Sequence, residues 1–317
     1  MLNVLRRGVR CFQIEVPTFD WRPDPDVVWI DLLNPTREEE LAVEKALGVN
    51  LPTLKEMEAL EPSSRLYQEA GSTFMTTTLL GHSALNKPIA TPVTFVLAKG
   101  LLVTLRYAEL RAFSVFAERA PESDVTSGTA ALLGLLEAIV ERLAEILNSA
   151  SDQVSAGSAG IFERPQAGNF RPLLTSLASA QAVTSLTRNT LVSLSRTLSF
   201  ASLAPEISAD TDCRAHLETL QRDVQSLTEH ASYQSSQISF LLDAALGLIN
   251  IEQNGIIKFF SVVAVVFMPP TLIASIYGMN FEVMPELKWM IGYPMSLVMM
   301  LVAAIVPVLW FKHRGWL

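Results

Sequence analysis

Charged side chains are scarce at one end of this chain of 317 residues. Residues 259–317 contain only Glu282, Glu286, Lys288, Lys312 and Arg314 as formal charges. The preceding 258 residues hold 21 basic and 30 acidic groups, a net charge of −9. The overall charged fraction of 18% is below the roughly 25% of ordinary soluble domains because it averages two different regions.

Two runs within residues 259–317 contain no charged residue. Residues 259–281 form one run of 23 residues, and residues 289–311 form another of the same length. A helix needs about 20 residues to cross roughly 30 Å of hydrocarbon. The sequence therefore predicts two membrane spans and excludes a purely soluble enzyme.

Other features that are rare or missing in the sequence exclude further classes of protein. The acidic N-terminal part has no Lys/Arg cluster, so it would repel phosphate, and no nucleic-acid partner is expected. Cys11 and Cys213 are the only cysteines, which favours reduced thiols in a cytoplasmic compartment. Arg6 and Arg7 are not followed by the apolar stretch of a signal peptide, so we expect no cleaved signal. The chain shows no nucleotide loop, paired acid and base, or metal-binding histidine spacing, so neither enzyme activity nor a cofactor is predicted.

Residues 1–125 are predicted to form a cytoplasmic α/β domain. Thr36 to Glu39 and Thr53 to Glu56 have the spacing of capping boxes, which begin helices. Strand candidates follow at residues 65–68, 73–80, 93–98 and 101–106, and Lys99–Gly100 suits a two-residue hairpin turn. These elements predict an antiparallel sheet flanked by helices, of the α+β class.

Residues 126–258 are predicted to form long helices. The first helix pattern is interrupted at Gly157 and Gly160, and a second helical stretch covers residues 172–203. The third has an apolar seam that alternates steps of three and four residues. This seam consists of Leu217, Leu220, Val224, Leu227, Ala231, Gln234, Ile238, Leu241, Ala245 and Leu248. Its spacing fits either a bundle within one subunit or a stalk built from several subunits.

The apolar region is predicted to be a helical hairpin. Residues 259–281 form the first span, 282–290 an external loop, 291–311 the second span and 312–317 a basic tail. Lys258 precedes the first span, and Lys312 and Arg314 follow the second, whereas the loop carries two Glu against one Lys. By the positive-inside rule both termini are cytoplasmic.

One face of the first span is more polar than the rest. We call it the polar stripe: Asn254, Ile257, Ser261, Ala264, Met268, Thr271, Ser275 and Gly278, again at steps of three and four. Small residues at this spacing allow tight helix packing in membranes. The alternative is the lining of a pore, which requires several copies around an axis because two helices cannot enclose one.

The residues Tyr277-Gly278-Met279-Asn280 carry a family resemblance. They follow Phe267-Met268-Pro269-Pro270-Thr271-Leu272, precede Phe281-Glu282-Val283-Met284-Pro285-Glu286-Leu287, and lie between the two spans. In these motifs the chain resembles the CorA family of magnesium transporters, and most of all its proteobacterial branch.

This resemblance implies a homopentameric funnel in the bacterial inner membrane, with the lipid bilayer and divalent cations as partners. Five first spans would line a pore for Mg²⁺, Co²⁺ and Ni²⁺, driven by the membrane potential, and cytoplasmic Mg²⁺ would close it. Asn280 and Gly278 would contact the hydrated ion at the outer mouth, with Glu282 and Glu286 concentrating cations there. The pore-lining residues would be Asn254, Ile257, Ser261, Met268, Thr271 and Ser275.

Two other functions remain open at the level of sequence. A zinc-handling branch of the family departs from Gly-Met-Asn at the middle position, so Met279 disfavours it. A membrane-anchored sensor or scaffold would not conduct ions. The polar stripe and the motif disfavour this second alternative, because an anchor needs neither.

Overall fold

The computed structural model describes residues 1–7, 13–15, 21–59, 61, 65–82, 88–120, 125–162, 170–280 and 284–315. They belong to two compact units. The first unit is Met1–Pro165 with Arg171–Leu242, and the second unit is Gln166–Phe170 with Asp243–Leu317.

A sheet of seven strands forms the centre of the first unit. Its strands are β1 (Leu2–Arg6), β2 (Gln13–Glu15), β3 (Val27–Leu33), β4 (Leu66–Glu69), β5 (Ser72–His82), β6 (Pro88–Ala98) and β7 (Leu101–Arg106), in the order β2-β1-β3-β7-β6-β5-β4. The predicted turn at Lys99–Gly100 is confirmed, with φ of 51° and 78°, as a hairpin turn of this kind requires. The expectation of a purely antiparallel sheet is wrong for one pair, because β3 and β7 are parallel.

Both predicted capping boxes are present. Before α1 (Arg37–Leu47), the Thr36 hydroxyl accepts from the Glu39 N–H at 3.3 Å, and the Glu39 carboxylate accepts from the Thr36 N–H at 2.8 Å. Thr53 and Glu56 make the same pair of bonds before α2 (Leu54–Met57). Both boxes satisfy N–H groups that have no partner in the first turn of a helix.

A polar network lies inside the sheet. Arg106 Nη2 donates to Asp31 Oδ2 at 2.8 Å, and its Nε donates to Asp31 Oδ1 at 3.0 Å. Thr104 donates to the same carboxylate at 2.7 Å and accepts from the Trp29 indole N–H at 2.9 Å. Asp31 and Arg106 are 3% and 6% exposed. The paired charges are thereby compensated by several hydrogen bonds, which a buried ion pair needs.

Helices cover the sheet and extend beyond it. They are α3 (Arg111–Arg119), α4 (Gly128–Phe162), α5 (Arg171–Ala201), α6 (Pro205–Ser208) and α7 (Thr211–Tyr277). The sequence pattern predicted that Gly157 and Gly160 interrupt α4, but the helix continues through both. A Cβ added at these positions would lie 2.8 Å from Leu177 and 2.9 Å from Leu173, so these glycines allow α5 to approach closely.

In the first unit, which ends at Leu242, the seam of α7 is buried against other parts of the same chain. Leu217, Val224 and Ile238 are at most 1% exposed. The buried Gln234 side chain donates to the Leu147 carbonyl of α4 at 3.2 Å and accepts from the Thr184 hydroxyl of α5 at 3.4 Å. The first unit therefore contains the helix bundle within one subunit, the first of the two arrangements predicted for the seam.

The second unit contains the C-terminal part of α7, a 3-10 turn at Pro285–Lys288 and α8 (Gly292–His313). α7 is one continuous helix of 67 residues, and no proline occurs in it between residues 217 and 266.

Candidate functional site

The apolar helices of the second unit are exposed in a single chain. Both α7 and α8 are long and apolar enough to cross a membrane, judged by length and composition. Large side chains such as Phe259, Phe267 and Leu301 are each at least 60% exposed. Monomeric soluble proteins rarely expose apolar patches of this extent. A bilayer, further copies of the chain, or both must cover this surface.

Two faces of α7 differ in the second unit. Val262, Val266, Ile273 and Tyr277 are half-buried, and they continue the three-and-four spacing of the seam. Every residue of the polar stripe is exposed. Among the residues that the structure describes, nothing covers the stripe, so its mixed polar and thioether groups can face a further copy or water.

Pro269 and Pro270 lie inside α7, on its half-buried side and away from the stripe. Because proline has no N–H, the carbonyls of Val265 and Val266 have no helical donor four residues later. The Thr271 hydroxyl donates to the next carbonyl, that of Phe267, at 2.7 Å. A carbonyl without a donor at membrane depth has to meet protein or a water-filled cavity.

No role was predicted from the sequence for the carbonyls of Val265 and Val266. The signal for them was present, because the missing N–H groups of Pro269 and Pro270 can be read directly from the sequence.

The motif begins where α7 ends. The helix stops at Tyr277, and the Gly278 N–H donates to the Ala274 carbonyl at 2.9 Å. A Cβ on Gly278 would come within 3.1 Å of that carbonyl, which is closer than most real contacts of a Cβ. Met279 and Asn280 follow and are exposed. A helix C-terminus carries about half a negative charge, so the place where Asn280 lies favours a cation.

The remaining predicted site residues are only partly covered by the structure. Glu282 lies outside the described residues, and Glu286 is within the 3-10 turn, where its side chain is not described. Among the described residues, no group of three or more His, Cys, Asp or Glu side chains is arranged to hold a metal ion. No sensing carboxylates are therefore assigned.

A cavity of about 450 Å³ lies in the first unit between α3, α4 and the start of α7. Two carboxylates on its rim already have partners: Glu141 pairs with Arg119 at 2.9 Å, and Glu137 lies 3.4 Å from His216. Burial, followed by the nearby Asp210 carboxylate, raises the pKa of the Cys213 thiol in its wall to about 11. This thiol is therefore protonated at neutral pH and is a poor nucleophile.

An α/β unit, a helix that continues from it into an apolar span, and a second apolar span define a helical membrane protein with a candidate transport path. The sequence comparison identifies the particular family. The model of the CorA-like Mg²⁺ transporter proteins matches residues 24–313, and the chain belongs to this family. The family is one of transporters rather than enzymes, and the resemblance drawn from the motif is confirmed.

Individual relatives agree with this assignment. The magnesium transport protein CorA of Salmonella typhimurium is 37% identical over 294 residues, which cover 92% of each chain. The protein of the same name from Escherichia coli K12 is 37% identical over 298 residues, covering 93% of this chain and 94% of that one. Among solved structures, the CorA magnesium transporter of Methanocaldococcus jannaschii matches with a TM-score of 0.76 at 19% identity, covering 100% of this chain and 99% of that chain. This last similarity shows the fold.

Proposed function

We propose that this chain forms a homopentameric channel that admits Mg²⁺ into the bacterial cytoplasm. The observation that carries the proposal is the polar stripe, which is exposed along α7 and leads to the Gly-Met-Asn motif at the helix end. The names of the two sequence relatives, both magnesium transport proteins, support the choice of ion.

The stripe requires several copies of the chain. One α7 helix cannot enclose a water-filled path, and an open path would expose polar groups to lipid. A ring of identical chains around an axis brings the stripes together and leaves the bulky residues for lipid or α8. In such a ring the amide and hydroxyl groups of the stripe would lie next to water. This is the reason to prefer a pore lining over dry packing of the stripe.

The ring of Asn280 side chains, with carbonyls near Gly278, is proposed to select a hydrated ion. Mg²⁺ holds its six oxygen ligands at about 2.0–2.1 Å and releases water reluctantly. Neutral amide oxygens can accept hydrogen bonds from that water, and they bind weakly enough to release the ion. The negative ends of the α7 helices add a favourable potential, and Glu282 and Glu286 are proposed to enlarge it.

The membrane potential supplies the driving force. Moving one charge across 100 mV is worth about 2.3 kcal/mol, so a divalent ion gains about twice that amount. Lys258, Lys312 and Arg314 indicate that both termini are cytoplasmic, in the inner membrane. Below the motif, Met268 and Ile257 are 68% and 54% exposed in one chain and are proposed to form an apolar constriction that gates by excluding water.

The main test replaces the proposed selective group. Asn280→Ala in reconstituted vesicles is expected to abolish selective Mg²⁺ influx, followed with an ion-sensitive dye, while the oligomer stays intact. Asn148→Ala is the matched control, because Asn148 is an exposed amide on α4 in the first unit. Unchanged flux and selectivity in Asn280→Ala would exclude this role for Asn280.

The same vesicles test the range of ions. Co²⁺ and Ni²⁺ are expected to be admitted together with Mg²⁺, and Zn²⁺ is included because the sequence left a zinc-handling branch open. A preference for Zn²⁺ would contradict the magnesium assignment. The absence of any flux would favour a sensor or scaffold.

Topology can be tested by labelling introduced cysteines in a chain whose Cys11 and Cys213 are replaced by serine. Met290, in the connection between the spans, is 100% exposed. Met290→Cys should react with a membrane-impermeant maleimide from outside the cell, whereas Glu229→Cys should react only after permeabilisation. The reverse pattern would overturn the predicted orientation.

We also propose that Mg²⁺ is the regulatory ion as well as the cargo. The acidic surplus of the first 258 residues supports this, although no sensing residues are named. Millimolar Mg²⁺ should then protect the first unit from proteolysis in the purified full chain, and an equal concentration of Na⁺ should not. Equal cleavage with and without Mg²⁺ would contradict regulation by this ion.

A further inference from the structure

The last turn of α8 carries a cluster of basic and aromatic side chains. Lys312, His313 and Arg314 are exposed, and Trp310 is 52% exposed. Because residues four apart share one face of a helix, Arg314 lies over Trp310, with its Cζ 5.7 Å from the ring centroid. The helix ends here, with the Arg314 N–H donating to the Trp310 carbonyl at 3.0 Å and Gly315 in the left-handed region at a φ of 69°. The guanidinium is therefore held beside an aromatic ring at the end of an apolar helix.

In the part of the chain that the structure describes, Lys312 and Arg314 have no acidic partner. Within the residues that the structure describes, neither Lys312 nor Arg314 forms an ion pair with a carboxylate. The sequence contains no Asp or Glu between residues 287 and 317. The negative end of α8 contributes some stabilisation, but it does not supply the oxygen pair that a guanidinium fork can bind.

Lys258 is about as far from the end of α7 as Lys312 is from the start of α8. It lies 19 residues before the end of α7 at Tyr277, and Lys312 lies 20 residues after the start of α8 at Gly292. At about 1.5 Å per residue, each distance is about 30 Å, the thickness of the hydrocarbon region. If α7 and α8 both cross the bilayer, the two lysines lie at the same boundary with water.

We propose that Lys258, Lys312 and Arg314 form a binding surface for the phosphate headgroup of an anionic phospholipid. The planar fork of Arg314 suits two phosphate oxygens, and the two lysines add point charges. Trp310 lies where an amphipathic ring is favourable, between acyl chains and headgroups. Basic residues next to a membrane helix attract anionic lipids in this way.

A lipid is the occupant rather than free phosphate because of the surroundings. The cations lie exposed at the end of an apolar helix. A soluble anion would have only charge to hold it, whereas a lipid is also held by its acyl chains against exposed residues such as Leu309. The inference rests on the proposed function in one respect only, that α7 and α8 cross a bilayer.

The test measures lipid retained by the purified full chain. The protein is extracted from vesicles of phosphatidylcholine mixed with phosphatidylglycerol, and bound lipids are counted by native mass spectrometry. Loss of one cation near an anionic surface should reduce phosphatidylglycerol retention about fivefold. Lys312→Gln and Arg314→Gln should each show this loss, the double variant a larger one, and Arg314→Lys a smaller one. Lys258→Gln tests the same surface from the other helix.

Lys288→Gln is the matched control, because Lys288 is an exposed lysine in the 3-10 turn between the spans. It should retain phosphatidylglycerol like the unchanged chain. Equal losses in Lys288→Gln and Lys312→Gln would overturn the proposal, as would equal retention of phosphatidylcholine. Displacement of the lipid by inorganic phosphate would also contradict it, because the site would then be one for a free anion.

Mg²⁺ flux is measured on the same preparations so that the two proposals can fail separately. Specific lipid retention without flux would contradict the proposed channel and support the lipid surface. Mg²⁺ flux without specific retention of phosphatidylglycerol would support the proposed channel and contradict the lipid surface.

Discussion

The two parts of α7 have the same periodicity but opposite surroundings. In the first unit, the residues of the seam are buried against other helices of the same chain, and even the polar Gln234 is only 2% exposed. In the second unit, the most apolar stretch of the same helix contains no buried residue. A spacing of three and four residues therefore identifies a helix face, but it does not say what that face contacts.

The residue types on each face of α7 distinguish the seam from the polar stripe. The seam is dominated by Leu, Val, Ile and Ala, which gain by leaving water. The polar stripe mixes amide, hydroxyl and thioether groups and leaves bulky side chains on other faces. The first unit thus carries its own stabilising core, whereas the second unit leaves most of its large apolar side chains exposed in a single chain. Three predictions test this contrast.

The largest effect is expected from the polar network in the first unit. Asp31→Ala leaves the buried Arg106 without its partner, which typically costs about 3–5 kcal/mol. The free energy of unfolding should fall by that amount, measured by denaturant titration of the full chain in detergent. Asp24→Ala is the control: Asp24 pairs with Arg6 at 2.9 Å, but its side chain is 63% exposed, so the loss should be below about 1 kcal/mol. Similar losses of unfolding free energy in Asp31→Ala and Asp24→Ala would show that the buried network stabilises the protein no more than an exposed ion pair does.

A matched pair of isoleucines on α7 tests the contrast between seam and stripe. Ile238 is 0% exposed, so Ile238→Ala should cost about 2–5 kcal/mol of unfolding free energy. Ile257 is 54% exposed, so Ile257→Ala should change stability by less than about 0.5 kcal/mol while altering ion flux. An equal loss of stability in both variants of the assembled oligomer would show that the stripe is packed between helices and does not line a pore.

The smallest effect is expected at the start of α7. The Asp210 carboxylate accepts from the N–H groups of Asp212 at 2.9 Å and Cys213 at 3.3 Å. These bonds, that from Cys213 first, lower the pKa of Asp210 below its ordinary value of 3.8. Since the folded pKa is the lower one, this stabilisation is complete above 3.8 and is lost as the pH falls through the folded value.

Asp210→Ala should therefore lower the Tm near neutral pH, and the difference from the unchanged chain should shrink well below pH 3.8. Asp210→Asn keeps an oxygen that accepts hydrogen bonds, so it should lose less and show no such pH dependence. The measurement is thermal unfolding followed by circular dichroism. If the difference in Tm between Asp210→Ala and the unchanged chain stays constant across this pH range, the charge of Asp210 is excluded as its cause.

Local features of the fold could be read from the sequence, and distant pairings could not. The capping boxes at Thr36 and Thr53 and the Lys99–Gly100 turn depend on neighbouring residues, and all three are confirmed. Strand β1 was missed because it ends at Arg6, in a basic segment that resembles the start of a targeting signal. The parallel pairing of β3 and β7 joins segments about 70 residues apart, such as Trp29 and Leu102, and no local pattern encodes it.

The same limit applies to the candidate site. The polar stripe and the Gly-Met-Asn motif were found from spacing and from residue types along one helix. The end of α7 at Tyr277, four residues before the predicted boundary of the first span, depends on backbone geometry. The arrangement of copies around an axis is a property of the assembly, and so the roles of Asn280 and the stripe residues stay predictions.

The buried Gln234 has a consequence for how α7 can move. The Gln234 amide can bond to both the Leu147 carbonyl and the Thr184 hydroxyl at only one position of α7 along its axis. A slide of α7 by one helical turn, about 5.4 Å, would separate the amide from both partners and leave it among apolar side chains. A single polar residue in an apolar seam can fix register in this way. Movements of α7 in the first unit that preserve this bond, such as rotation by a few degrees, therefore cost less than sliding.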